Sequence, residues 1–152
     1  MGIEVRSLVF DNVLIHQTTQ LKEDWQEAQF MMESFTLNED IYKNGPVFFS
    51  VTPDQDDNKI GHFTYYLPVS GTVRLAEESD FRFFESFRLE KALVLRQADE
   101  EMDFTTAYQK VKEYAAMNKI ALEDTYYCIL LEVYGNYIVD LYVPIKERGV
   151  EE

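Results

Sequence analysis

Apolar residues along this chain follow first a strand-like and then a helix-like spacing. Residues 4 to 18 are rich in Val, Leu, Ile and Phe, which predicts a strand that bends at Asp11-Asn12. Thr18 and Thr19 offer capping hydroxyls, and apolar residues then recur at helical spacing up to about Asn38. The members of this stripe are Leu21, Trp25, Ala28, Met32 and Phe35.

Two strands follow this helix, and the same order then occurs a second time. Strands are predicted at residues 47–52 and 61–68, and a polar linker at 76–80. The second series predicts a strand at 83–97 and then a helix capped by Asp103. It ends with strands at 126–134 and 137–143, joined by a tight turn at Gly135-Asn136. The apolar stripe of the second helix is Phe104, Ala107, Val111, Tyr114 and Ala115.

The ends of the two series are similar in sequence. Tyr66-Leu67-Pro68-Val69 aligns with Tyr142-Val143-Pro144-Ile145, and each proline marks the exit of a strand. The chain is therefore predicted to be α+β, with two strand–helix–strand–strand repeats that merge into one antiparallel sheet and two helices on one face. We expect one domain at residues 1–146, made of half-repeats at about 1–72 and 80–146, and an acidic tail at 147–152.

Composition and charge narrow the classes of partner. The chain has 152 residues, is 46% hydrophobic and carries a net charge of −14, so nucleic acid and anionic membranes are poor partners. A cationic small molecule or a basic protein surface fits better, although charge of this size also serves solubility alone. A single cysteine, Cys128, and the lack of a signal peptide predict a cytoplasmic location. The oligomeric state stays open.

Catalytic, metal and cofactor motifs are not apparent in the sequence. His16 and His62 are far apart and lack metal-ligand spacing around them. Asp54, Asp56 and Asn58 resemble the start of a calcium loop, but the glycine and the final glutamate of such a loop are missing. We therefore expect a protein that is not an enzyme and that uses neither a metal nor a cofactor.

The order of elements, with the two Tyr-x-Pro endings, resembles the GyrI-like (gyrase-inhibitor-like) effector-binding fold from about residue 3 to 146. That resemblance implies a groove between the halves that binds lipophilic cations through aromatic residues and a central carboxylate. It also leaves open a branch that hydrolyses strained-ring compounds. A vaguer likeness links the chain to small acidic proteins encoded beside type VII secretion genes in Gram-positive bacteria.

The final hairpin supplies the candidate carboxylate. A turn at Gly135-Asn136 places Tyr134 opposite Tyr137 and Glu132 opposite Val139. The more aliphatic side, with Ile129, Leu131 and Val133, is expected to face the helices, which leaves Glu132 on the groove side. Glu132 then either meets a cationic ligand or pairs with Arg88, Lys91 or Arg96 on a neighbouring strand. Asp140, which aligns with Thr64, is expected near a strand edge or a helix end.

The predicted ligand-binding residues combine this hairpin with aromatic residues from the first half. They are Glu132, Tyr134, Tyr137, Trp25, Tyr66 and Phe49. Core packing is the alternative role for Trp25 and for the first-half aromatics. The expected function is the binding of a lipophilic or cationic small molecule. The alternatives are a protein-interaction adaptor or chaperone, which would show an exposed apolar patch beside acids, and a hydrolase of strained rings.

Overall fold

The computed structural model describes residues 3–38, 42, 44–53, 56, 59–72, 74–75, 81–96, 104–133 and 136–146. These residues form six strands and two α-helices in the predicted order, so the α+β class with two strand–helix–strand–strand repeats is confirmed. The elements are β1 (Ile3–Leu21), a short 3-10 helix (Lys22–Asp24), α1 (Trp25–Asn38), β2 (Phe48–Pro53), β3 (Ile60–Pro68), β4 (Phe81–Leu95), α2 (Phe104–Met117), β5 (Tyr126–Val133) and β6 (Asn136–Pro144).

The chain divides into two compact units. The first unit is Val9–Arg88, and the second unit is Met1–Leu8 with Leu89–Glu152, so the divisions fall inside the long strands β1 and β4. In the first unit β3 pairs with β1 on one side and β2 on the other. In the second unit β6 pairs in the same way with β4 and β5. All four of these pairings are antiparallel.

The repeat extends to individual backbone hydrogen bonds. Pro68 lies opposite Val13, and Pro144 lies opposite Ala92, so the aligned prolines occupy the same place in the two ladders. Three hydrogen bonds just outside the strands occur in both units, at distances between 2.8 and 3.0 Å. In donor-to-acceptor order they are Val69 to Asn12, Asn44 to Pro68 and Ser70 to Tyr42 in the first unit, and Ile145 to Lys91, Glu123 to Pro144 and Lys146 to Ala121 in the second.

Strand β1 is longer than predicted, and this moves the start of the first helix. Thr18 and Thr19 continue the ladder opposite Phe63 and His62, so neither caps a helix, and α1 begins only at Trp25. Two adjacent β-branched residues favour the extended conformation and prolong the strand. Leu21, the first residue of the predicted stripe, ends β1 and is 42% exposed.

The predicted bend in β1 is present at Asn12. This residue has a φ of +57°, and Val13, Leu14 and Ile15 directly after it are all buried. Three consecutive buried residues break the alternation of a flat strand, in which successive side chains face opposite sides. Asparagine tolerates this left-handed conformation better than most residues, which explains its place at the bend.

The buried stripe of α2 agrees with prediction at three of its five positions, and a fourth, Phe104, is half-buried. Ala107, Val111 and Ala115 are buried, while Tyr114 is 37% exposed and Tyr108 is buried in its place. A buried residue at 108 precedes Val111 by three positions and therefore lies on the same helix face. Asp103, the predicted cap, lies outside the described residues.

The predicted register of the last hairpin is wrong by two residues. Glu132 lies opposite Tyr137 instead of Val139, and the residue opposite Val139 is Leu130. Asn136 belongs to β6 and pairs with Val133, so it is not a turn residue. A shift of two residues keeps every side chain on its original side of the sheet, because side chains alternate with a period of two.

Candidate functional site

Helix α1 covers one side of the strands in the first unit. The ring centroids of Trp25 and Phe49 are 5.6 Å apart, and the Tyr65 hydroxyl donates a hydrogen bond of 2.9 Å to the Trp25 carbonyl. Phe63 packs on the same two rings of the sheet, at 5.5 Å from Phe49 and 5.7 Å from Tyr65. We call the side of each unit that contacts its helix the helix side, and the opposite side the far side.

The helix side of the second unit is not the side predicted. Tyr108 of α2 packs against Tyr126 of β5 at 4.6 Å, so α2 covers the side on which Tyr126, Cys128 and Leu130 lie. The prediction that α2 covers Ile129, Leu131 and Val133 is wrong. Aliphatic content could not decide the question, because Ile129 and Leu130, on opposite sides, are both buried.

The structure does not bring the predicted aromatic residues together. Trp25 and Phe49 contact each other on the helix side of the first unit, and Phe49 is completely buried. Tyr66 lies on the far side, because it pairs with Phe48 in the ladder whereas Phe49 pairs with Tyr65. The sheet therefore separates Tyr66 from Trp25 and Phe49.

The carboxylate and tyrosines predicted from the last hairpin are described only in part. The backbones of Glu132 and Tyr137 lie opposite each other, but their side chains are outside the described part of the structure. Tyr134 lies outside the described residues altogether. Their assignment to a ligand site therefore stays a prediction.

The far side of the first unit is a cluster of rings. Phe48 stacks on Tyr66 at 4.6 Å with an angle of 5° between the ring planes, and Phe10 stacks on Phe48 at 5.0 Å. Phe87 contacts both Phe48 and Tyr66, at 5.1 and 4.8 Å. Phe48 and Tyr66 are buried while Phe10 and Phe87 are half-buried, so the cluster reaches the surface at its rim.

The far side of the second unit carries a buried carboxylate. Asp140 is 5% exposed, and its Oδ2 is 2.9 Å from Nε of Arg96 on the end of the neighbouring strand. Arg96 also approaches Glu4, with Nη1 3.8 Å from Oε1, and Glu4 in turn forms an ion pair with Arg6. Four charged groups of alternating sign therefore follow one another from Asp140 to the exposed residues of β1.

Asp140 is not at a strand edge, contrary to expectation. It lies in β6, which has β5 on one side and β4 on the other, and it pairs with Ile129 in β5. An aspartate buried in the middle of a three-stranded ladder requires a compensating charge, because desolvation disfavours an isolated carboxylate. Arg96 supplies this charge while its own side chain stays 43% exposed.

Tyr142 lies on the same side as Asp140, two residues along β6. Burial of the phenol, together with the negative charge of Asp140, raises the pKa of Tyr142. The hydroxyl therefore stays protonated at neutral pH and can donate a hydrogen bond. Tyr127 of β5 pairs with Tyr142 and extends the aromatic surface of this side.

The register aligns this charged group with neutral residues in the first unit. Asp140 corresponds to Thr64, as the alignment of the two halves predicted, and Arg96 corresponds to Gln17, which lies opposite Thr64 in β1. From the sequence, Arg96 was named only as a possible partner of Glu132, and Tyr142 was not singled out. Both positions follow from the β4–β6 register, which no local signal in the sequence reveals.

A protein-family model matches residues 9–148 of the chain, under the description "Domain of unknown function (DUF5085)". The chain belongs to the DUF5085 family. No curated protein sequence matches it. This match shows the family of the chain and does not name a biochemical role.

Solved structures with low sequence identity share the fold. The C-terminal domain of EcmrR is 9% identical, with a TM-score of 0.63 over 97% of this chain and 100% of that one. SAV2435 bound to tetraphenylphosphonium is 13% identical, with a TM-score of 0.54 over 96% and 94%. A hydrolase from Listeria innocua is 9% identical, with a TM-score of 0.53 over 94% and 92%. These neighbours support the GyrI-like resemblance at the level of the fold, and nothing supports the link to type VII secretion.

Two further features of the described residues bear on the class of site. None of their helices is both long and apolar enough to cross a membrane. Within the same ranges, no three His, Cys, Asp or Glu side chains come close enough together to hold a metal ion.

Proposed function

We propose that this chain is a non-catalytic effector-binding domain that takes a lipophilic cation on the far side of its second unit. The observation that carries the proposal is the buried carboxylate of Asp140, compensated by the half-exposed guanidinium of Arg96. We propose Asp140 instead of Glu132 as the acid that meets the ligand. By alternation along β5, position 132 belongs to the side of Tyr126, Cys128 and Leu130, which α2 covers, whereas Asp140 lies on the far side.

The Arg96–Asp140 pair can exchange its cation. Arg96 has 43% of its side chain in solvent, and such a partly exposed ion pair contributes little to stability. Its guanidinium can therefore leave Asp140 and become fully hydrated. Loss of the Arg96 charge disfavours the buried carboxylate of Asp140, because a desolvated negative charge is stabilised by a nearby cation. A ligand cation that takes the place of Arg96 therefore meets a site that requires a positive charge.

The surroundings favour a cation with aromatic or aliphatic substituents. Tyr142 and its ladder partner Tyr127 lie on the same side of the sheet as the carboxylate, and aromatic rings attract cations. Ile129, opposite Asp140, is 4% exposed and keeps the site apolar. The net charge of −14 raises the local concentration of cations in general. Tetraphenylphosphonium, which is bound to SAV2435 in a solved structure of the same fold, is a suitable probe for this site.

Direct binding of nucleic acid does not suit the charge of this chain. EcmrR forms a complex with DNA, but this chain spans only 58% of the EcmrR chain in that complex. Among all residues of the present chain, 28 acidic side chains face 14 Lys and Arg, so a phosphate backbone is repelled.

Thermal unfolding of the full chain with tetraphenylphosphonium tests the proposal. Wild type is expected to gain several degrees at saturating ligand, because only the folded state binds. Asp140→Asn keeps the shape of the side chain and is expected to lose the gain. Arg96→Gln removes the competing cation, so its unfolding midpoint without ligand falls but its ligand-induced gain exceeds that of wild type. A ligand-induced gain that falls in Asp140→Asn and rises in Arg96→Gln would indicate exchange of the cation at Asp140. A general loss of structure would lower the gain in both variants.

Two controls isolate the charge. Triphenylphosphine oxide has similar rings without the positive charge and is expected to give no gain. Thr64→Val alters the equivalent of Asp140 in the first unit and is expected to keep the full response to tetraphenylphosphonium. A response of Asp140→Asn equal to that of wild type, in a variant whose circular dichroism is unchanged, would refute Asp140 as the ligand acid.

A further inference from the structure

Helix α1 exposes two large apolar side chains in its middle. Phe30 is 62% exposed and Met31 is 40% exposed. Glu27 precedes them by three and four positions, Ser34 follows them by four and three, and both of these polar side chains are exposed. Residues at these spacings are neighbours on a helix surface. We call Glu27, Phe30, Met31 and Ser34 the α1 patch.

The described surface of α2 shows that such a patch is not a general feature of this fold. Both helices have 14 residues. Counted from the first residue of each helix, Phe30 and Met31 correspond to Gln109 and Lys110, which are exposed and polar. The most exposed apolar residue of α2, Met117, is the last residue of that helix.

The two helices also differ in charge. The sequence of α1 contains two acids, Glu27 and Glu33, and no Lys or Arg. The sequence of α2 contains Lys110, Lys112 and Glu113, so its charges sum to the opposite sign. An apolar surface on a helix without basic residues, in a chain with a net charge of −14, complements a partner that is both apolar and basic.

We propose that the α1 patch docks a basic amphipathic helix of a partner protein. The apolar side chains of the partner would cover Phe30 and Met31, and a Lys or Arg one turn from its apolar stripe would reach Glu27. Charge selects this occupant. A second copy of the chain would bring another net charge of −14 to the same surface, and an anionic membrane or a nucleic acid would be repelled for the same reason.

The size of the patch sets the expected strength of this interaction. Two apolar side chains form a surface well below the roughly 1,200 Å² that stable protein–protein interfaces bury, so the complex is transient. Its affinity depends on one aromatic anchor, Phe30, as small interfaces depend on a few residues. The carboxylate of Glu27 contributes mainly to the rate and the salt dependence of association.

Fluorescence anisotropy of a labelled 18-residue Leu/Lys amphipathic peptide against the full chain tests this proposal. Wild type is expected to bind at micromolar concentration. Phe30→Gln, which preserves helix propensity and removes the anchor, is expected to weaken binding about tenfold. Glu27→Gln is expected to weaken it about two- to threefold at 50 mM salt, with little difference from wild type at 500 mM salt, where surface charges are screened.

Matched controls separate docking from attraction to an acidic protein in general. Glu113→Gln and Met117→Gln remove an exposed acid and an exposed apolar residue of α2, and both are expected to leave binding unchanged. A peptide with the same leucines but Glu in place of Lys is expected not to bind.

Two results would overturn the proposal. One is equal binding of the peptide by Phe30→Gln and wild type. The other is a peptide-independent dimer of wild type in sedimentation that Phe30→Gln abolishes, because a second copy would then be the occupant. Asp140→Asn should bind the peptide normally, which keeps this test independent of the proposed ligand site.

Discussion

The two units share a hydrogen-bond scaffold and differ in what they build on it. In the first unit the row Ser50, Thr64 and Gln17 crosses β2, β3 and β1 on the far side, and all three residues are neutral and polar. The equivalent row in the second unit is Ile129, Asp140 and Arg96, which combines an apolar residue with an ion pair. The neighbouring row is aromatic in both units, Phe48 with Tyr66 and Tyr127 with Tyr142.

This difference shows which part of the repeat tolerates change. The backbone hydrogen bonds at Pro68 and Pro144 do not depend on the side chains of the far side, so the ladders coincide while the chemistry diverges. The first unit uses its far side for ring packing, and the second unit places a charge there. We infer that the far sides of the two units have separate tasks, with packing in the first unit and, under the proposed function, recognition of charge in the second.

The largest expected difference between the units concerns their helix sides. Phe49 and Cys128 occupy equivalent positions and are both completely buried. Phe49→Ala removes a ring that contacts Trp25, Phe63 and Tyr65, and it is expected to lower the free energy of unfolding by about 3–5 kcal/mol because a cavity remains. Cys128→Ala removes one sulfur atom and is expected to cost about 1 kcal/mol.

Urea unfolding followed by circular dichroism measures both variants. Equal losses would show that the first unit does not depend on its aromatic packing more than the second depends on its small buried residues. A loss below about 1 kcal/mol for Phe49→Ala would mean that the neighbouring rings close the cavity. The comparison of helix sides would then fail, while the shared backbone scaffold would be unaffected.

Alkaline pH is expected to destabilise the second unit through Cys128. Burial raises the pKa of its thiol well above the ordinary value. Above about pH 8.5 the unfolded chain therefore loses a proton that the folded chain retains, and the free energy of unfolding decreases as pH rises. The free energy of unfolding then falls by at most about 1.4 kcal/mol for each pH unit, the slope for one proton.

Cys128→Ala tests this origin. The variant is expected to be less sensitive than wild type to a change from pH 7.5 to pH 10 in urea unfolding. The pKa values of Tyr108 and Tyr142 are also raised, mainly by burial, so both proteins should lose further stability above about pH 10. The same pH dependence in wild type and Cys128→Ala would contradict the assignment. The first-unit equivalent, Phe49, has no proton to lose.

The repeat could be predicted from the sequence because its signals are local. Hydrophobic spacing and the two Tyr-x-Pro endings depend on neighbouring residues, and the order of elements follows from them. The start of α1 was misplaced because Thr18 and Thr19 suit both a cap and a strand. Pairing with β3, which no local signal reveals, decided in favour of the strand.

The site was harder to predict because its determinants are distant in sequence or hidden by uniform burial. Asp140 and Arg96 are 44 positions apart, and only the β4–β6 register brings them together. Both sides of β5 are apolar, so the side that faces α2 could not be taken from composition. The ring pair of Tyr108 with Tyr126 settles that side, and Tyr108 was missing from the predicted α2 stripe.

The smallest expected effect concerns the ion pair that distinguishes the far sides. Arg96→Gln introduces the first-unit residue and removes the guanidinium that pairs with Asp140. Breaking a fully buried pair costs about 3–5 kcal/mol, but water reaches the half-exposed Arg96 position, so we expect a loss of about 1–2 kcal/mol. The loss is measured by urea unfolding at pH 7.5.

Adding Asp140→Thr to Arg96→Gln completes the change to the first-unit pair and is expected to restore most of the stability. A neutral pair in this setting is often as stable as an ion pair, because neither partner leaves a charge unpaired. The double-mutant cycle should therefore show a coupling of about 1 kcal/mol. If the double variant is no more stable than Arg96→Gln alone, the two far sides are not interchangeable, and the second unit requires its acid for folding. Recovery of stability without recovery of tetraphenylphosphonium binding would instead assign Asp140 to recognition.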